Sequence, residues 1–221
     1  MIAVVTPVYG NASTLGQLAG RLSAALDGAG LTWALRFVVD ASPDDSLAVA
    51  CGLAAADPRL VVTALAANVG QNRALLAGLA AEDAADVWVC LDADLQDPPE
   101  AVPALVARLA AGGAGVVFAG RRGAYECRGR LLTGTVHRAV LARLTGVPGD
   151  AGAFLAMDRP SRHALLALDP PSIVAGVGAA GISAVSVPVE RDRRPSGRSA
   201  WTGRARARQS ARTLAWVVGR R

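Results

Sequence analysis

With 221 residues, 52% of them apolar, the chain can bury one sizeable core and is too hydrophobic to be disordered. Its 23 basic residues, all Arg, outnumber 18 acids for a net charge of +5. Three scattered Cys (Cys51, Cys90, Cys127) exclude a disulfide framework, and His137 and His163 are too few and too far apart for a His-based metal site.

Short β-rich runs alternate with Ala/Leu-rich helical stretches. IAVVT (2–6) is predicted to lead to a helix over 13–26, WALRFVVD (33–40) to a helix over 46–56, and RLVVTAL (59–65) to a helix over 71–81. DVWVCLD (86–92) leads to a helix over 100–111, and GVVFAG (115–120) follows as a fifth strand. This rhythm predicts an α/β fold with a mostly parallel sheet covered by helices on both faces, and the continuous apolar strands agree with two-sided burial. Beyond residue 122 the rhythm changes. RGRLLTGTVHRAVLARLTG (128–146) reads as a helix with a basic face, and GAFLAMDR (152–159) and ISAVSVPVE (182–190) read as strands. The uncharged stretch 170–189 is long enough to span a bilayer. It is broken by Pro188, Gly176, Gly178 and Gly181, and so is expected to be buried loop, helix and strand.

Charge separates along the chain. Residues 190–221 carry ten Arg against two acids, while residues 1–189 carry thirteen Arg against sixteen. The basic tail suits an anionic partner such as phosphate, lipid headgroups or nucleic acid, or else is a solvated terminus. It is expected to form a helix with Trp201, Leu214, Trp216 and Val217 available for an apolar side. The opening MIAVVTPVYG reads as a strand rather than a leader, and the unpaired Cys favour a reducing compartment. The expected location is cytoplasmic, with the tail suited to peripheral contact at the inner face of a membrane.

Ligands of such sheets bind beyond the carboxyl ends of the strands. Polar groups gather there: Thr6 and Pro7, Asp40, Asn68, Asp92 with Asp94, and Arg121 with Arg122. DADLQDPP is the strongest signal. Asp92 and Asp94 are expected on one side of an extended segment, and with the amide oxygen of Gln96 they make an all-oxygen set suited to Mg²⁺ or Mn²⁺. The plain alternative is that the two aspartates cap a turn. Asp40 can accept from a base N–H or a ribose hydroxyl, while Ser42 or Asp44 caps the next helix. Gly70 stands just ahead of a helix, where backbone N–H groups can meet an anion or simply form a turn. VAGVGAAG (174–181) contains GxGxxG but lacks the strand–turn–helix context and the distant acidic residue of a dinucleotide site. Arg121, Arg122, Arg128, Arg130 and Arg138 face only Glu126, and position favours an anion site at Arg121 and Arg130 over a solvated helix face.

Seven segments in order resemble glycosyltransferase family 2, nucleotide-sugar enzymes of the GT-A fold. They are VVTPVYGN (4–11), VVDASPDDS (38–46), NVGQNRALLAGL (68–79), LDADLQDPPE (91–100), GRR (120–122), DAGAFLAMDR (150–159) and ERDRRPSGRSAW (190–201). The branch resembled is that of dolichol-phosphate mannose synthase and bacterial polyprenyl-phosphate enzymes. The resemblance implies one GT-A domain over 1–202, with a nucleotide-sugar half (1–122) and an acceptor half (123–202), followed by a basic tail or helix (203–221). It implies that Thr6, Pro7, Tyr9 and Asp40 line the nucleotide pocket, joined by Asn68, Gly70, Asp92 and Ala93. It also implies that Asp92, Asp94 and Gln96 hold the metal and donor diphosphate, and that Arg121, Arg122, Arg128, Arg130, Arg194 and Ser199 hold phosphates of donor or acceptor. Asp150 matches an acidic position ahead of the GxF strand. Val39, Gly10 and Ala200 depart from the residues that relatives often carry.

The expected reaction is a single inverting displacement at the anomeric carbon, with Asp94, Asp150, Arg121 and Arg130 as the catalytic set. The expected donor is a GDP- or UDP-type sugar and the expected acceptor a polyprenyl phosphate. If the acceptor is instead a hydroxyl, a base is needed, and Asp150 is the candidate with Asp97 second. A different class of protein, a non-catalytic phosphate or nucleic-acid binder using the Arg tail, would not require DADLQ; no nucleic-acid partner is expected.

Overall fold

The computed structural model describes residues 1–122, 139–192 and 203–220. Four β-α units open the chain: β1 (Ile2–Val8) and α1 (Leu15–Gly28), β2 (Trp33–Asp40) and α2 (Ser46–Ala56), β3 (Leu60–Leu65) and α3 (Gln71–Ala81), β4 (Val87–Cys90) and α4 (Val102–Ala110). A 3-10 turn at Pro99–Ala101 introduces α4, because Pro98 and Pro99 fix the backbone but cannot donate to a ladder. β5 (Val116–Arg122) follows, then a helix α5 over the described residues 139–145, β6 (Leu155–Asp158), α6 (Arg159–Leu168), α7 (Ile173–Ala179), β7 (Ala184–Glu190) and α8 (Gly203–Val218).

The strands form one sheet in the order β3-β2-β1-β4-β6-β5-β7. Among the described residues β6 alone runs antiparallel, to both β4 and β5. Side-chain alternation sends each strand's apolar residues to both faces. Val4, Phe37, Val89 and Val117 pack under α1, α2 and α4. Val5, Val38, Trp88 and Phe118 pack under α3 and α6 to α8. Trp88 is fully buried; its indole N–H donates to Glu82 O at 2.8 Å, and the guanidinium of Arg162 lies 4.8 Å from its ring centre.

The expected α/β architecture is the one observed, with local differences at element ends and one added helix. β1 runs two residues further than the apolar run suggests, and β4 stops at Cys90 because the DADLQ segment turns. α6, which the sequence reading left out, starts at a visible signal: Asp158 caps it by accepting from Ser161 N at 2.9 Å, with Pro160 in the first turn. The region 170–189 contains α7 and most of β7, and no helix among the described residues is long and apolar enough to cross a membrane. Its glycines are packing devices. A Cβ at Gly176 would fall 2.5 Å from both Leu165 and Pro170, and one at Gly178 would fall 2.3 Å from Thr145. Gly181 instead takes a φ of 64°, so close packing at two glycines and a left-handed turn at the third account for the GxGxxG without a dinucleotide.

Candidate active site

The rim beyond the carboxyl ends of β1, β2 and β4 is built from three loops that hold one another. After β1, Gly10 N–H donates to Ser42 Oγ at 2.8 Å, Asn11 N–H to Ser46 Oγ at 3.1 Å, and Ala12 N–H to Asp44 Oδ2 at 3.1 Å. Asp44 gathers this junction, accepting also from the Ser42 hydroxyl at 2.6 Å and the Ser46 hydroxyl at 2.5 Å. It further accepts the Ser46 amide, at the first residue of α2, from one position ahead of the N-cap, which is Asp45. Partial burial works to raise the Asp44 pKa, but the Ser42 and Ser46 hydroxyls and the two amides outweigh it and bring the carboxyl from 3.8 down to about 2. A carboxyl depressed in the folded state stabilises above its unfolded pKa and loses that contribution as pH falls through the folded value. Urea unfolding at pH 5, 3 and 2 is therefore expected to show a loss between pH 4 and pH 2 that shrinks in Asp44→Asn. An identical acid profile for variant and parent would remove Asp44 from this role.

Asp40 ends β2 with 3% exposure. Its carboxylate accepts from Val69 N–H at 2.7 Å and Gly70 N–H at 2.8 Å, and its carbonyl accepts from Asn68 Nδ2 at 3.2 Å. The 68–70 loop is thus clamped to β2, and Gly70 takes a φ of 87° that suits glycine. Of the two roles open to this loop, the turn is the one observed: the amides at 69 and 70 are taken by the Asp40 carboxylate. Tyr9 is half exposed above this junction, whereas Thr6 is fully buried, with no hydrogen-bond partner for Oγ1 among the described residues.

DADLQ is a turn, not the extended segment expected, yet its burial alternates. Ala93, Leu95 and Asp97 are buried while Asp92, Asp94 and Gln96 are partly exposed between them. The turn is fastened from several sides. Thr14 Oγ1, at the start of α1, reaches Ala93 O at 2.7 Å, and Gln96 N–H donates to Asp94 Oδ1 at 3.1 Å. Gln71, the first residue of α3, donates its Nε2 to Asp92 Oδ1 at 2.6 Å. Leu95 sits at a φ of 60°, a left-handed conformation costly for a branched side chain, and its buried side chain helps hold it there. Arg191, just past β7, forms a two-pronged ion pair with Asp97 at 2.5 and 3.0 Å, with side chains 6% and 3% exposed. Asp97 is therefore a structural anion and not a base for an acceptor. Burial works to lower the Arg191 pKa, but Asp97 and, beyond it, Asp92 and Asp94 hold it above its ordinary value.

Two carboxylates and an amide oxygen offered from one turn fit a hard divalent ion. Among the described residues no cluster of three acidic, His or Cys side chains forms. The remaining positions would fall to water and diphosphate oxygens, the arrangement Mg²⁺ commonly keeps.

Across the rim, Asp150 lies partly buried against β5. A Cβ at Gly120 would stand 2.4 Å from Asp150 Oδ2 and 2.2 Å from Ser186 Oγ, so glycine is what admits the carboxylate to this spot. Ser186 Oγ is buried and has no hydrogen-bond partner among the described residues. Arg121 and Arg122 end β5 at the same rim, whereas Arg128, Arg130, Arg194 and Ser199 lie outside the described residues. Gln71 and Arg191 were not singled out from sequence. Each stands inside a segment quoted above, and the signal for each was position: a polar residue at a helix start, and the first cation after an apolar strand ending on the rim.

A sheet of this order with an acidic turn after β4 is the GT-A fold. Residues 3–159 match the family described as Glycosyl transferase family 2, and the chain belongs to that family. Undecaprenyl-phosphate 4-deoxy-4-formamido-L-arabinose transferases from Salmonella paratyphi A and Salmonella dublin are each 33% identical over 156 residues, covering 70% of this chain and 47% of the relative. The chain thus spans about half the length of the curated relatives it matches. Among solved structures, glucosyl-3-phosphoglycerate synthase from Mycobacterium tuberculosis, in complex with Mn²⁺, UDP and glucosyl-3-phosphoglycerate, superposes with a TM-score of 0.70 at 22% identity, covering 100% of this chain and 79% of that one. A mannosyltransferase from Pyrobaculum calidifontis, in complex with GDP-Man and Mn²⁺, gives 0.68 at 19% identity, covering 99% and 64%. At these identities the likeness establishes the fold.

Proposed function

We propose that this family 2 glycosyltransferase moves a sugar, with inversion, from a GDP- or UDP-type donor to a polyprenyl phosphate, with Mg²⁺ or Mn²⁺ as cofactor. The observation that carries the reading is the DADLQ turn, which offers Asp92, Asp94 and Gln96 together at the rim between the β1–β2 junction and Asp150. The names of the Salmonella relatives support the lipid-phosphate acceptor. In this reading Thr6, Pro7, Tyr9 and Asp40, with Asn68, Gly70 and Ala93, shape the nucleotide side, and Gln71 fixes the direction of Asp92. A divalent ion held by the turn would neutralise the charge that develops on the departing nucleoside diphosphate. Arg121 and Arg122, with Arg128, Arg130, Arg194 and Ser199, hold acceptor or donor phosphates. A lipid phosphate is already anionic, so positioning suffices and no base is required. The catalytic region is residues 1–202, with 1–122 serving the donor and 123–202 the acceptor. The exposed Arg208 and Arg212 of α8, with the exposed Arg220 in the turn just after it, suit contact with an anionic membrane surface on the cytoplasmic side, while Thr213 and Val217 anchor the helix.

A thermal-shift panel of GDP-, UDP- and dTDP-sugars with Mn²⁺ or Mg²⁺ tests the donor side. One GDP- or UDP-sugar is expected to raise Tm by about 5 °C or more at a hundredfold excess over Kd, and only with metal present. No stabilisation by any donor–metal pair would overturn the reading. Asp150, at the rim beside β5, also supports a second reading in which the acceptor is a hydroxyl and Asp150 takes its proton. Asp150→Asn separates the two: retained transfer to polyprenyl phosphate favours the first, and lost transfer to a hydroxyl acceptor the second.

A further inference from the structure

The acidic turn and the end of β7 are joined twice. Arg191 grips Asp97 through two nitrogens inside the protein, and the next residue, Asp192, donates its N–H to Gln96 O at 2.9 Å. These contacts bracket Gln96 and Asp97, immediately after Asp94 and the left-handed Leu95. A conformation that costs energy persists only when its surroundings over-determine it. Thr14 and Gln71 hold the front of the turn; Arg191 holds its back. Its place is unexpected on charge alone. A guanidinium within electrostatic reach of Asp92 and Asp94 repels any cation those residues bind, so its presence calls for a benefit other than charge.

We infer that Arg191 is a positioning residue for the DADLQ turn: through its ion pair with Asp97 it sets the conformation in which Asp92, Asp94 and Gln96 stand partly exposed on the rim. The inference rests on the metal reading above for its consequence, but its direct effect, an ordered turn, needs no metal. Two opposite signs separate positioning from charge. If Arg191 acted only as a charge, Arg191→Met would tighten Mn²⁺ binding by removing a repulsion. As a positioning residue, its loss weakens Mn²⁺ binding by about 10- to 100-fold, the usual effect of removing an outer partner of a metal ligand. A second variant guards against misfolding. Arg191→Leu combined with Asp97→Leu replaces the buried pair with apolar groups, a change that is often neutral or stabilising.

The experiment compares the parent chain, Arg191→Met, Arg191→Lys and the double leucine variant. It measures Tm, amide exchange across residues 91–98 without metal, and Mn²⁺ binding with UDP or GDP present by electron paramagnetic resonance. The expected result for the double variant is a Tm near that of the parent, faster exchange across the turn and weakened Mn²⁺ binding. Arg191→Lys, which keeps the charge but loses the fork, is expected to behave like Arg191→Met. Parental exchange and parental Mn²⁺ binding in a folded double variant would overturn the inference. Failure of the parent itself to bind Mn²⁺ with nucleotide would overturn the metal reading; faster turn exchange in the variants would then still uphold the positioning role.

Discussion

Asp94→Ala is expected to abolish metal-dependent turnover of the donor while the protein stays folded. Asp94 is partly exposed and accepts the amide of Gln96 at 3.1 Å. Surface substitutions of this kind usually move stability by about 0.5 kcal/mol, which is one or two degrees of Tm at this size. The catalytic loss is expected to be larger, because in the proposed reaction this carboxylate stands where charge on the leaving diphosphate must be met. Removing one such electrostatic partner costs about 10²- to 10³-fold in kcat. Asp94→Asn is the sharper variant, since it keeps the shape and an oxygen while losing the charge. A steady-state assay across Mn²⁺ concentrations, alongside a thermal melt, checks both halves. A folded Asp94→Ala protein that turns over donor at near the parental rate would remove the acidic turn from the chemistry.

Asp40→Ala is expected to destabilise the protein before any nucleotide is added. The carboxylate accepts two backbone amides, at 2.7 and 2.8 Å, from a loop that has no other described side-chain anchor to β2 except Asn68. Hydrogen bonds to a charged acceptor are worth about 1.5–3 kcal/mol each where burial is complete. Val69 is half exposed, so water can reclaim part of that, and a combined loss of about 2–3 kcal/mol is expected. At this chain length it lowers Tm by about 4–12 °C. Asp40→Asn should fall between the two, because one oxygen still accepts while the new amine faces a backbone N–H. Melting the ligand-free variants decides the matter. If Asp40 serves the nucleotide alone, Tm stays at the parental value and only donor affinity falls.

The sequence carried the fold well because the first half repeats one simple unit, and continuous apolar strands separated by Ala/Leu-rich helices leave few alternatives. It placed α2 and α3 at their observed bounds for the same reason. α6 was harder to read because its cap, Asp158, also ends a strand, so the apolar run of β6 masked the start of the helix. The acidic turn was legible as chemistry but not as geometry. Alternation along DADLQ suggested an extended strand, whereas the observed alternation arises in a turn with a left-handed leucine at its centre. Asp40 shows the limit of reading single residues. Nothing local reveals that the amides of residues 69 and 70 return to it, since that contact depends on β2 and β3 being neighbours. The Arg191–Asp97 pair, 94 positions apart, was equally invisible until β7 closed the sheet beside β5.

The reversed direction of β6 has a consequence for how such a chain diversifies. Leu155 pairs with both Cys90 and Phe118, so the polypeptide departs from the sheet at Arg122 and returns to it on the same border. A parallel return would have to traverse the full height of the layer, which fixes a minimum length. Here β5 ends and β6 begins on one border, so the pairing of the two strands sets no minimum length for the chain between them. If residues 123–202 serve the acceptor, as proposed, acceptor preference can drift there while strands β1 to β5 keep their pairing.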